Sequence, residues 1–162
     1  MITYRKAGID DIALIYQLAE NIWKQHYITI ITREQIEYML SNMYSAESLT
    51  KQMDDGHVFT LVFDDGNPVG YISLSTKDDK NYFLHKFYVL MNEQRKGLGT
   101  ELFNHILEEL KDPWSIELTV NRKNYKAINF YFKNGFVIRN VADFDIGKGY
   151  FMNDFIMNKK LK

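Results

Sequence analysis

Apolar positions in the first third of the chain keep to helical spacing. Ile12, Ile15, Leu18, Ala19 and Ile22 form one stripe, which predicts a core-facing helix that Asp10 or Asp11 can cap after a short strand, Ile2–Lys6. From Trp23 to Thr32 the period loosens, and a connector is expected there. Thr32 with Gln35 three residues on makes a capping box for a second helix that carries Ile36, Met39, Leu40 and Met43. Ser45 can cap a third through Leu49 and Met53. These aromatic-rich segments can line a substrate pocket, and they can equally cover the core edge or make a dimer contact.

The pattern then changes to strands. Val58–Phe63 and Val69–Thr76 flank the turn sequence Asp64-Asp65-Gly66-Asn67 and read as a hairpin, and Lys77–Asn81 is a second polar turn into a strand over Tyr82–Leu90. Leu98, Leu102, Phe103, Ile106, Leu107 and Leu110 give the clearest helical period in the chain, ended by Asp112-Pro113. Ile116–Val120 is the next strand, and the intervening helix makes it parallel to the previous one through a right-handed crossover. Asn124–Asn134 reads as a helix stopped by Gly135, and Phe136–Ile146 and Tyr150–Leu161 as two closing strands. The order implies an α/β domain with a mixed, mainly antiparallel sheet flanked by helices.

Composition narrows the partners. With 162 residues and 46% hydrophobic content, the chain suits one domain spanning 1–162. Twenty Lys and Arg against 21 Asp and Glu leave a net charge of -1, which lacks the basic field of a nucleic-acid binder. Cysteine is absent, so thiolate metal sites, disulfides and thiol nucleophiles are excluded together. The four histidines, His26, His57, His85 and His105, show no ligand spacing, and no metal is expected. No apolar run is long enough to span a bilayer and no signal peptide opens the chain, so no membrane partner and a cytoplasmic location are expected.

Two stretches carry chemistry. In the first, a strand delivers Gln94-Arg95-Lys96-Gly97-Leu98-Gly99-Thr100 to the start of a helix, where unpaired N–H groups favour an anion such as a phosphate. A P-loop would need a Lys after the second glycine, and Gly99 is followed by Thr100-Glu101. A dinucleotide fingerprint would need a third glycine or alanine where Leu102 stands. In the second stretch, Asn124, Ala127, Ile128 and Tyr131 fall on one helix face, a polar residue at each end of an apolar stripe.

The Gln-x-x-Gly-x-Gly loop resembles the acyl-CoA pyrophosphate loop of the GNAT superfamily of N-acetyltransferases. Asn124, three residues before Ala127, and the Phe130-Tyr131 pair before Gly135-Phe136 resemble that family's other signature, in the same order around the crossover strand. The resemblance implies a GNAT-like fold, acetyl-CoA as co-substrate, and direct transfer of its acetyl group to a primary amine in a ternary complex. It implies that Gln94, Arg95, Lys96, Gly97, Leu98, Gly99 and Thr100 wrap the pyrophosphate, and that Asn124 binds the pantetheine arm. Backbone groups of Phe87, Tyr88 and Val89 would hold the pantetheine amides and polarise the thioester carbonyl. Tyr131 would be the general acid toward the departing thiolate, since an unperturbed tyrosine, pKa about 10, stays protonated at neutral pH.

Phe83 stands where some members carry a glutamate base, which leaves His85 on the same strand or a chain of waters to take the proton. The ending Asp154–Leu161 resembles that of bacterial polyamine (spermidine/spermine) acetyltransferases, and Glu20, Glu34 and Glu37 can attract a polycation. The acceptor expected is thus a small-molecule amine, first of all a polyamine. A protein amine, another small amine, or acyl-CoA sensing without catalysis are the alternatives, and the aromatic C-terminal strands admit a homodimer.

Overall fold

The computed structural model describes residues 1–90 and 97–162. It divides into two compact units, one of Met1–Ser75 with His85–Gln94 and the other of Thr76–Leu84 with Arg95–Lys162.

The first unit opens with β1, Ile2–Lys6, and a 3-10 turn over Ile9–Asp11, followed by α1, Ile12–His26. Neither aspartate caps α1 through its side chain. Asp11 is drawn back instead to the Gly8 N–H at 2.9 Å and to the Arg5 guanidinium at 2.8 Å, because the turn points its carboxylate toward β1. The helix also outlasts its regular stripe: Trp23, expected in a connector, is a buried helical residue alongside Ile15, Leu18, Ala19 and Ile22. A 3-10 turn over Tyr27–Thr29 leads to α2, Arg33–Met43, and α3, Ala46–Asp54. Here the expected caps form, with Thr32 Oγ1 accepting from Gln35 N–H at 3.2 Å and Ser45 Oγ from Ser48 N–H at 3.1 Å.

The strands β2, Val58–Asp64, and β3, Asn67–Thr76, are joined at Asp65 and Gly66, both with positive φ, as a tight hairpin requires. The order in this unit is β1-β2-β3-β4, with β1–β2 and β2–β3 antiparallel and β4 covering Asn81–Val89. Phe59–Val62 and Val69–Ser73 are buried at every position, as expected for strands covered on both faces.

In the second unit the start of β4 runs parallel to β5, Ser115–Asn121, through Asn81–Phe83 against Ser115–Glu117. The crossover between them carries α4, Leu98–Glu109, which buries Leu98, Leu102, Phe103 and Ile106. After β5 come α5, Tyr125–Lys133, then β6, Val137–Gly147, and β7, Tyr150–Lys160, in the order β4-β5-β7-β6. The β5–β7 and β6–β7 ladders are antiparallel, and the β6–β7 register slips between Ile138 and Asn140 and again between Asp145 and Gly147. Ile116, Leu118, Val120, Ile128, Phe136 and Met157 are buried here. No helix among the described residues is long and apolar enough to cross a membrane.

Candidate active site

The glycine loop reaches the described residues at Gly97. Its φ of 85° is left-handed, and it turns the chain into α4 as the residue before the first helical position. The Gly97 carbonyl accepts the first intrahelical bond, from Glu101 N–H at 3.0 Å. The N–H groups of Leu98, Gly99 and Thr100 precede that bond and open toward the helix mouth, where the helix dipole favours an anion. Gly99 serves a different purpose: a Cβ there would lie 2.9 Å from Phe130 Cε2, so the bare backbone lets α4 start hard against α5. Gln94, Arg95 and Lys96 lie outside the described residues.

α5 is set by the turn that leaves β5. Asn121 Oδ1 accepts from Lys123 N–H at 2.9 Å, and the Asn121 carbonyl from Asn124 N–H at 2.9 Å. Asn124 then caps the helix, its Oδ1 accepting from Ala127 N–H at 3.3 Å. One turn further, Tyr131 is buried against Phe130 and Phe136, each with its ring centroid 5.4 Å away and edge-on. Gly135, at φ 89°, ends the helix, and Lys159 Nζ donates to the Asn134 carbonyl at 2.7 Å, a cation at the negative helix end. The second unit thus brings the glycine pair and the helix bearing Asn124 and Tyr131 into direct contact.

Phe87, Tyr88 and Val89 belong to the first unit, at the end of β4. Gly70 of β3 is what lets this backbone come so close: a side chain there would overlap the Tyr88 carbonyl oxygen and meet Val89 Cα at 3.2 Å. Tyr88 lies in an aromatic cluster, with Tyr71 at 5.4 Å, Trp23 at 5.8 Å and Tyr27 at 6.2 Å between ring centroids. Trp23 stacks on Tyr27 at 4.9 Å, the i,i+4 pair that the loosened period concealed. Behind it, the hydroxyls of Tyr44 and Tyr71 hydrogen-bond at 2.8 Å, and burial pushes both well above the ordinary tyrosine range.

Burial shifts the titratable groups beside this strand toward their neutral forms. His85 bonds Ser75 Oγ at 2.6 Å and stacks on His57 at 3.9 Å. Burial, then His57 and Lys86, push it down to about 4. It is neutral at pH 7 but poorly matched to general-base work there. Lys86 donates to Gln52 Oε1 at 2.7 Å and lies over the rings of Tyr44 and Phe59 at 5.3 and 5.4 Å, with burial lowering it to about 8. In the second unit Asp154, buried on β7, is pushed up to about 6 by desolvation, against the opposing pull of Thr119 and Arg122. Sequence reasoning gave no chemical role to Asp154, Lys86 or Gly70. Only Gly70 left a signal, a glycine interrupting an apolar strand.

The order of elements around these two groups of residues matches a known family. The acetyltransferase (GNAT) family model matches residues 15–136. The chain belongs to the GNAT family. As a GNAT protein it is an acetyl-CoA-dependent N-acetyltransferase with the expected GNAT fold. Among curated relatives, a spermidine N(1)-acetyltransferase of Thermoplasma acidophilum is 28% identical over 98% of this chain and 97% of its own. An uncharacterised N-acetyltransferase of Mycobacterium tuberculosis is 33% identical over 78% of this chain and 80% of its own. Among solved structures, the PaiA N-acetyltransferase of Thermoplasma acidophilum in complex with coenzyme A superposes with a TM-score of 0.81 at 28% identity, covering 99% of both chains. The ribosomal-protein-S18-alanine N-acetyltransferase of Escherichia coli shares the fold, at a TM-score of 0.75 and 18% identity over 100% of this chain and 95% of its own.

Proposed function

We propose that this GNAT enzyme acetylates a primary amine of a polyamine of the spermidine class, by direct attack within a ternary complex. The observation that carries the acceptor class is the likeness, over nearly the whole of both chains, to a spermidine N(1)-acetyltransferase. Acetyl-CoA supplies an activated acyl carbon and a thiolate leaving group. The mouth of α4, Gly97 to Thr100, is suited to its pyrophosphate: Gly99 keeps the surface bare of side chain, and the preceding N–H groups and the helix dipole all favour negative charge. Gln94, Arg95 and Lys96 add a donor and two charges to the same loop.

Asn124 is assigned to the pantetheine arm. Its Oδ1 is spent on capping α5, so its amide N–H groups are the part able to serve a ligand carbonyl. Backbone groups of Phe87, Tyr88 and Val89 take the remaining pantetheine amides and polarise the acyl carbonyl. As the amine nitrogen forms its bond to the acyl carbon, the carbon–sulfur bond breaks and the Tyr131 hydroxyl protonates the leaving sulfur. Phe130 and Phe136 fix the Tyr131 ring edge-on, which supports a single hydroxyl position rather than a swinging one. The ammonium proton leaves through water, since His85 is too weak a base at neutral pH.

The test is CoA release from acetyl-CoA across an amine panel that includes spermidine, spermine and a peptide amine, for the wild type and Tyr131→Phe. Turnover is expected to be fastest on the polyamines, with kcat lowered about tenfold or more in the variant at unchanged acetyl-CoA affinity. Preference for the peptide amine would overturn the acceptor class, and an unchanged kcat in the variant would remove Tyr131 from the mechanism.

A further inference from the structure

The helices of the second unit lie on one face of its sheet. Lys159 of β7 reaches the Asn134 carbonyl at the end of α5, so Lys159, Met157 and Phe155 point toward α5. α4 lies on the same side, since Gly99 packs against Phe130. The groups of this unit assigned to the acyl donor, Gly97 to Thr100, Asn124 and Tyr131, all stand on or at the start of those two helices.

The other face of β5 and β7 is polar. Side chains alternate, so Asp154, Ile156 and Asn158 point away from the helices, beside their ladder partners Asn121, Thr119 and Glu117. Asp154 is the one fully buried member of this row, at 2% exposure. Among the described residues only the Arg122 charge bears on it, and that guanidinium is committed elsewhere. It donates to Asp143 Oδ1 at 2.8 Å and to the backbone carbonyls of Ala142 and Asp154 at 3.3 and 3.5 Å. Glu117, the other charged group of the row, is two ladder positions away. The Asp154 carboxyl is thus left with the Thr119 hydroxyl and no ion pair among the described residues. A buried acid without its own cation costs stability at neutral pH, and an asparagine of the same size would carry no such cost.

Its place on the strand suits chemistry. Asn121, directly across from Asp154, starts the turn that sets Asn124, its carbonyl accepting from Asn124 N–H at 2.9 Å. Asp154 therefore backs the strand end that serves the acyl donor, on the face that the donor leaves to the amine.

We propose that Asp154 takes the proton of the acceptor ammonium, from the face of β5 and β7 opposite α4 and α5, so that the amine attacks as a neutral nucleophile. This rests on the ternary-complex reading above, in which the proton leaves through water, and names the group that receives it. One N–H proton passes through water to the carboxylate, the nitrogen lone pair forms the bond to the acyl carbon, and the carbon–sulfur bond breaks. The sulfur takes the Tyr131 proton, the second proton lost by nitrogen restores the Tyr131 hydroxyl, and Asp154 gives its proton to solvent. At about 6, Asp154 is mostly ionised at pH 7, and it takes a proton about a hundredfold more readily than His85 at about 4.

The test is the pH dependence of kcat for the wild type and Asp154→Asn, at saturating acetyl-CoA and with whichever amine the wild type acetylates fastest, polyamine or not. Wild-type kcat should rise as pH passes about 6 and then level. Asp154→Asn should lose that limb, with kcat at pH 8 lowered about tenfold or more and KM for acetyl-CoA changed less than about twofold. Denaturant melts at pH 8 should show the variant no less stable than the wild type, whereas a merely structural carboxyl would lose stability and leave the limb in place. A wild type without the limb overturns the proposal with no variant needed. A limb that persists in Asp154→Asn, or a variant kcat within about twofold of wild type, overturns the assignment to Asp154. Preference for a different amine, or an unchanged kcat in Tyr131→Phe, would count against the acceptor class or the acid and leave this outcome standing.

Discussion

Gly97 and Gly99 both belong to the loop motif, yet they resist substitution for opposite reasons, and Gly99→Ala separates them. An alanine Cβ at 99 would stand 2.9 Å from Phe130 Cε2 and 3.3 Å from Cζ. Carbon atoms rest at about 3.5–4.0 Å, so the ring must retreat by roughly 0.5–1 Å. The backbone at 99 is not left-handed, and alanine gains about 1 kcal/mol of helix propensity over glycine. Repacking a crowded contact costs about 1–3 kcal/mol, and half-exposed Phe130 can swing toward solvent, which favours the lower end. Net stability should therefore fall by no more than about 2 kcal/mol, or roughly 4–8 °C in Tm.

Function should suffer more than stability. Phe130 is the edge-on neighbour of Tyr131, and α4 presents its first N–H groups from the same contact. A displacement of this size at a site that must align an acyl donor should lower kcat/KM for acetyl-CoA about tenfold. Gly97→Ala is the comparison: nothing lies within 4 Å of its Cβ, so only the φ of 85° opposes it, at about 1–2 kcal/mol. The assay is steady-state CoA release with acetyl-CoA varied, beside thermal melts of both variants. If Gly99→Ala keeps kcat/KM within twofold, the contact with Phe130 does not govern the site and the reasoning fails.

Two further outcomes follow from burial. Asp154 has its folded pKa raised to about 6, above an unfolded value near 3.9, so the native state holds the extra proton between those values and wild-type stability falls as pH rises through them. Asp154→Asn should thus be more stable than wild type at pH 8, by at most roughly 2 kcal/mol, with the advantage gone below about pH 4; denaturant melts at both pH values check the sign. Gly70→Ala forces a methyl group onto the Tyr88 carbonyl and Val89 Cα, so it should lower stability by about 1–3 kcal/mol and raise KM for acetyl-CoA, read by melts and initial rates.

What the sequence made legible is what local chemistry decides. Thr32 and Ser45 announced their helices because a hydroxyl at that position satisfies an otherwise unpaired N–H, and Asp65-Gly66 announced its turn because few residues tolerate positive φ. The glycine pair and the Asn124–Tyr131 stretch stood out by their likeness to two family signatures, and locally Gly97 takes a positive φ and Asn124 caps α5. Asp11 misled because a carboxylate able to cap α1 found a stronger partner in Arg5, six residues back and invisible to a capping rule. Trp23 was misplaced because its aromatic neighbours blurred the helical period, although burial of one more turn kept the helix intact to His26. The pKa values of Asp154, His85 and Lys86 were beyond reach, since desolvation depends on what packs around a group and no residue string carries that.

The packing of Trp23 has an optical consequence. The protein has two tryptophans, Trp23 buried among Tyr27, Tyr44 and Tyr88, and Trp114 about half-exposed at 53%. Replacing Trp114 with phenylalanine leaves a single indole whose emission should be blue-shifted by its dry surroundings and fed by energy transfer from the tyrosines around it. Because one of those tyrosines is Tyr88, on the stretch of β4 assigned to the acyl donor, ligand arrival at that strand should change the fluorescence without any attached dye. The enzyme would then report its own occupancy in real time, in the stopped-flow cell, before a single turnover is complete.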